Sequence, residues 1–198
     1  MKNILIDYMK KYTNLSDDEF EKIVDLIPIE TIKKGEILLQ QGEIPTKCWF
    51  VLKGCVRKYT INEDGDETTF DFFTEEQSIT IFNQHSEDKH SKYSLACLED
   101  SVLVIGDLNV EKDMYKDYPF LIELTRDMME TDLGSMHDNF AKFMSSTPEE
   151  RYLNLKEKRP GLMDRVPQHQ LASYLGIKPE SLSRIKRRLE NSHLKIVN

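Results

Sequence analysis

Hydrophobic positions change period along the chain, and each change marks an element. Phe20, Ile23, Val24 and Ile27 recur at helical spacing behind Ser16-Asp17-Asp18-Glu19, which has the form of a capping box, and Pro28 ends the run. A short helix is predicted there. From Ile29 the texture becomes a series of short β-type runs: ETIKKGEILLQQGE, CWFVLKG, CVRKYTI, TTFDFF and KYSLACLEDSVLVIG. Gly35, Gly42, Gly54 and Gly65 punctuate them at intervals of 7, 12 and 11 residues, with Asp64-Gly65 as the clearest hairpin turn. This spacing predicts a β-barrel or sandwich. The polar stretch from Glu75 to Lys92 is poorly periodic and reads as a helical turn followed by a loop.

Helical periodicity returns after Asp107, with Pro119 placed to start or kink a long helix. Alternating steps of four and three pick out Ile122, Arg126, Met129, Leu133, Met136, Phe140, Phe143 and Thr147, of which six are apolar. Such a stripe is the seam of a two-stranded coiled coil, so the helix is expected to pair with its copy; the plainer reading lays the stripe on the chain's own β domain. Leu121, Leu124 and Met128 form a second apolar strip, so one strip could dimerise while the other docks on the β domain. Pro148 breaks or restarts the helix, PEERYLNLKEK reads as another, and Arg159-Pro160-Gly161 ends that one.

The stretch from Val166 to Leu189 reads as two short helices joined at Gly176, a residue that takes the positive φ favoured at a helix end, with Pro179 where a second helix begins. This is a helix-turn-helix pattern. On the second helix Leu182, Ile185 and Leu189 share one face, while Glu180, Ser183, Arg184 and Arg187 lie on or near the opposite one. A polar face of that kind suits the DNA major groove, because Arg makes bidentate pairs with guanine and Glu accepts from cytosine N4. The competing reading is an amphipathic helical hairpin with a solvated charged face.

Charge bears on that choice. The whole chain, 198 residues with a net charge of −8, would repel a polyanion if that charge were even, but it is unevenly distributed. Residues 148–198 hold 11 Lys or Arg and 6 Asp or Glu, a net of +5, leaving −13 on residues 1–147. An acidic body with a basic C-terminal piece would focus DNA on that piece. Lys178, Lys186, Arg187, Arg188 and Lys195 are candidate phosphate contacts.

A 39% hydrophobic and 31% charged composition is that of a globular chain. The absence of a long apolar run or a signal-peptide pattern leads to the expectation of a cytoplasmic protein without membrane contact. Cys48, Cys55 and Cys97 are expected as reduced thiols, too few for the four thiolates of an iron–sulfur cluster. The run from His85 to His90 matches no standard zinc spacing, and no nucleophile is paired with a base at recognisable spacing. Neither metal, cofactor nor enzymatic activity is expected. Trp49 reads most simply as core, although Trp49, Phe82 and Tyr93 could instead line an apolar effector pocket.

The order of elements resembles that of the Crp/Fnr family of bacterial transcription regulators, through QLASYLG, GIKPESLSRIKRRLE and LEDSVLVIG. The resemblance implies an α+β chain: a double-stranded β-helix (jelly-roll) effector domain over 1–118, a dimerisation helix over 119–147 and a helix-turn-helix domain over 148–198. The last would be winged-helix-like with a truncated wing, since the nine residues after Leu189 suffice for one short strand. It further implies a homodimer on a near-palindromic double-stranded operator, with RNA polymerase as a candidate partner. Glu180 and Arg184 match the family's base-reading positions, flanked by Ser181 and Ser183. Cyclic-nucleotide-binding members carry a Gly-Glu and an Arg followed by Ser or Thr; here the matching stretches read FFTEEQSIT and HSKYSLACLED, with Ser91 and Lys92 at the second site. The phosphate clamp is missing, so cyclic AMP is not expected as ligand and the effector is unknown. The rival reading is a small-molecule signalling module whose C-terminal helices bind a protein.

Overall fold

The computed structural model describes residues 2–11, 16–81, 83, 87–108 and 115–194. Phe82, His85, Ser86 and Lys195 lie outside that set, as do the side chains of Leu124 and Met128. The chain divides into two compact units, one of residues 1–58 and 72–136, the other of residues 59–71 and 137–198. No described helix is long and apolar enough to cross a membrane.

The first unit opens with α1 (Lys2–Met9), which periodicity did not single out, and α2 (Asp17–Leu26), which starts directly after Ser16 as its polar lead-in predicts. Among the described residues of the chain eight strands follow: β1 (Ile29–Ile32), β2 (Ile37–Leu39), β3 (Lys47–Lys53), β4 (Val56–Ile61), β5 (Glu67–Phe73), β6 (Ser78–Ile79), β7 (Ser94–Cys97) and β8 (Ser101–Asp107), with residues 59–71 of β4 and β5 counted in the second unit. They form two four-stranded sheets, ordered β1-β8-β3-β6 and β2-β7-β4-β5. The polar stretch expected to begin with a helical turn instead supplies β6, whose Ile79 and Ser78 pair with Trp49 and Phe50. Ile79 is buried, and two residues of pairing suffice to bring it to the core.

Strand β3 explains why CWFVLKG looks uniformly apolar. Trp49 and Val51 face one cluster with Leu39, Val56, Leu95, Cys97 and Leu103. Phe50 and Leu52 face another, closed by Leu5, Tyr8, Phe20, Ile23 and Val24 of the two N-terminal helices. A strand buried on both sides loses the alternation that marks a half-exposed one. Leu121, from the second strip of the long helix, is buried in the same helical cluster. Gly54 makes the β3–β4 corner at φ 115, with its N–H donating to Glu75 Oε1 at 2.9 Å. A Cβ there would fall on the Ser101 side chain.

The helices are α3 (Phe120–Ser145), α4 (Pro148–Lys158), α5 (Leu162–Arg165), α6 (Gln168–Tyr174) and α7 (Pro179–Leu194). Thr147 and Glu150 close a reciprocal capping box on α4, the Thr147 N–H donating to Glu150 Oε2 at 2.7 Å. Within the second unit Tyr152, Leu155, Leu162, Val166, Leu171, Leu175, Leu182 and Ile185 are buried. Of the nine residues after Leu189, Glu190–Leu194 prolong α7 and 195–198 lie outside the described residues. Glu190, Asn191 and Leu194 have no helix-breaking chemistry, whereas β-branched residues begin only at Ile196.

A candidate nucleic-acid interface

Helices α6 and α7 are joined by a Schellman turn. Gly176, at φ 68, donates to the Ser173 carbonyl at 3.0 Å, and Ile177 donates to the Ala172 carbonyl at 3.0 Å. Only a residue without Cβ takes this backbone cheaply. Space is short as well: a Cβ on Gly176 would lie 3.2 Å from Phe143 Cζ. The Phe143 ring in turn carries the Arg151 guanidinium 4.2 Å from its centroid. Phe143, a member of the long stripe, therefore packs against its own chain's turn and is the least exposed of the six apolar stripe residues, at 37%.

Helix α7 is anchored by Leu182 and Ile185, both buried, with Leu189 half-buried beside them. Glu180, Ser183, Arg184, Arg187 and Arg188 are exposed. Ser181, by contrast, is half-buried; its Oγ accepts from Arg184 Nη2 at 3.3 Å, and Ser183 Oγ donates to the Pro179 carbonyl at 3.1 Å. The exposed Lys178 closes the first turn with its carbonyl, which accepts from the Ser181 N–H at 2.9 Å. Two of the candidate phosphate contacts are engaged inside the chain: Lys186 bonds Gln168 Oε1, and Arg188 pairs with Glu149. Sequence reasoning missed these pairs because their partners lie 18 and 39 residues away.

On α3 the stripe residues Ile122, Met129, Leu133, Met136 and Phe140 are exposed, Phe140 at 67%. They line the helix without an apolar cover from the described residues.

The candidate effector residues have diverse surroundings. Trp49 is 4% exposed and belongs to the roll's core cluster, with Tyr93 partly buried against it. Lys92 is exposed. Ser91 is buried and already employed: its N–H donates to the Glu43 carbonyl at 2.7 Å, its carbonyl accepts from Gly42 N at 2.8 Å, and its hydroxyl donates to the Tyr93 carbonyl at 2.7 Å. A cation that spacing had not flagged, Lys58, sits with Nζ 4.1 Å from the Tyr93 ring centroid. The two glutamates of FFTEEQSIT are also spoken for. Glu75 caps Gly54, and Glu76, at φ 64, pairs with Lys11 Nζ at 2.6 Å. Among the described residues no group of three or more metal-ligating side chains occurs.

In chain order the described elements are a β-roll, a long helix and a helix-turn-helix. Residues 29–116 match the family model of the cyclic nucleotide-binding domain. The chain is 25% identical over 193 residues to the electron transport regulator A of Shewanella oneidensis, covering 91% of this chain and 76% of that protein. It is 22% identical over 192 residues to the fumarate and nitrate reduction regulatory protein of Vibrio cholerae, with the same coverage. Among solved structures it shares its fold with FixK2 from Bradyrhizobium japonicum (TM-score 0.67, 14% identity, 84% of this chain and 86% of that one). It likewise matches a Crp/Fnr regulator from Eubacterium rectale (TM-score 0.65, 18% identity, 94% and 88%). Residues 29–116 are thus of the cyclic nucleotide-binding domain type, and the chain as a whole is similar in sequence and fold to Crp/Fnr-type transcription regulators.

Proposed function

We propose that the chain is a homodimeric, sequence-specific DNA-binding regulator that reads a near-palindromic operator with Glu180 and Arg184 of α7. The observation that carries this reading is the division of α7 into a buried face, Leu182 and Ile185, and an exposed face bearing Glu180, Ser183, Arg184 and Arg187. The net +5 of residues 148–198 supports it. The apolar stripe of α3 supports pairing with a second copy, which would set the half-sites about one DNA turn apart.

The roll is proposed not to take cyclic AMP. At the aligned position Lys92 offers a point charge on an exposed stem rather than a planar fork, and Ser91 is committed to its own loop. Isothermal titration tests this, and micromolar binding of cyclic AMP would overturn it. The DNA-reading assignment is tested by selecting duplexes from a randomised pool. Arg187→Ala should weaken selected and random duplexes alike and reduce the salt slope by about one, whereas Arg188→Ala, already paired with Glu149, should change the slope less.

A further inference from the structure

The second unit contains, beside its helices, the outer part of the β4–β5 hairpin, residues 59–71. Strand β5 is at the end of its sheet, so one side of its backbone has no neighbouring strand within the sheet. A bare strand edge is a row of hydrogen-bonding groups that needs partners. Here a helix side chain provides them. The Thr69 N–H donates to Ser173 Oγ at 2.9 Å, and the same hydroxyl donates to the Glu67 carbonyl at 3.5 Å. Thr69 is 4% exposed, so this edge is closed to solvent at the contact. Arg159 Nη1 lies 3.7 Å from Asp71 Oδ1, two residues further along the strand. The neighbouring Tyr174 phenol is pushed up by burial and then by Asp71, as expected of a side chain enclosed in the same contact.

Ser173 has a second bond that makes the first consequential. Its carbonyl accepts the Gly176 N–H that forms the turn between α6 and α7. One residue thus holds the strand edge with its hydroxyl and the turn with its backbone, while Phe143 abuts the turn from another side. We infer that Ser173 is a positioning residue for the recognition helix: its hydroxyl fixes the turn to the outer edge of β5, and operator discrimination depends on that bond. This rests on the DNA-reading assignment above.

The test uses full-length protein and three measurements: amide exchange at Thr69 without DNA, thermal unfolding, and anisotropy with a duplex selected by the wild type against a random duplex of equal length. Ser173→Ala should accelerate Thr69 exchange and lower the selected-to-random affinity ratio by about 3- to 10-fold, the size of one lost hydrogen bond. Ser173→Thr, which keeps the hydroxyl, should restore both. Faster Thr69 exchange with an unchanged ratio would make the bond merely structural and overturn the inference, as would an equal loss in the Thr and Ala variants. Wild-type protein that shows no preference for any duplex would instead remove the DNA-reading assignment, a distinct failure visible before any variant is made.

Discussion

The outward face of α7 and the interior of the roll are both sites where the chain could meet a ligand, and they are built in opposite ways. On α7 the apolar anchors are spent on one face, so Glu180 and Arg184 stay exposed. In the roll most residues aligned with a ligand site are engaged within the chain, Ser91 with its loop, Glu75 with Gly54 and Glu76 with Lys11, and Lys58, outside that alignment, sits over Tyr93. A site is defined less by which polar residues it contains than by whether their hydrogen-bonding capacity is already used.

The strongest way to break this contrast is Trp49→Ala. If Trp49 is core, the cavity left behind should cost about 3–5 kcal/mol in urea unfolding. A cost well under that would mean that the roll already contains a pocket beside the indole. Next comes Arg184→Ala, expected to cost about 1–3 kcal/mol in discrimination between selected and random duplexes with unfolding unchanged. Unaltered discrimination would refute its role as a base reader. Lys58→Met probes the roll interior more gently. Loss of a partly exposed cation over Tyr93 should reduce stability by about 0.5–1 kcal/mol and leave DNA affinity as it was; a stabilised variant with altered affinity would identify Lys58 as a ligand contact.

The smallest expected effect is a pH dependence at the roll's surface. The Asp100 carboxylate is held below its usual range by the Lys33 ammonium and then by the Lys34 N–H. A depressed folded-state pKa contributes stability above the unfolded value, about 3.9, and loses it as pH falls through the folded value. Asp100→Asn should therefore be slightly less stable than wild type at pH 6 and converge with it as pH falls through the depressed folded-state value. A gap between the two that persists in acid would show that the pair's charge is not its source.

Much of this was legible in the residues. Period-3.6 stripes located α2, α3 and α7, Gly176 marked the turn, and Asp64-Gly65 marked the hairpin, where Gly65 has φ 85. Each depends on neighbours within a few positions, and local chemistry settles such features. The family resemblance added Ser181 and the roll's ligand positions. What could not be read were the long-range engagements: Arg188 with Glu149, Lys11 with Glu76, and Thr69 with Ser173 span 39, 65 and 104 positions.

By itself, then, the sequence determined the order of elements, the amphipathic division of α7 and the basic C-terminal piece, because periodicity, turn propensity and charge are additive along a chain. Tertiary structure alone decided which polar groups remain available. That depends on backbone edges and side chains brought together from distant positions, and a hydrogen bond is made only at a specific distance and angle. The double burial of β3, the diversion of Arg188 and the seat of Ser173 on the edge of β5 are all consequences of that requirement.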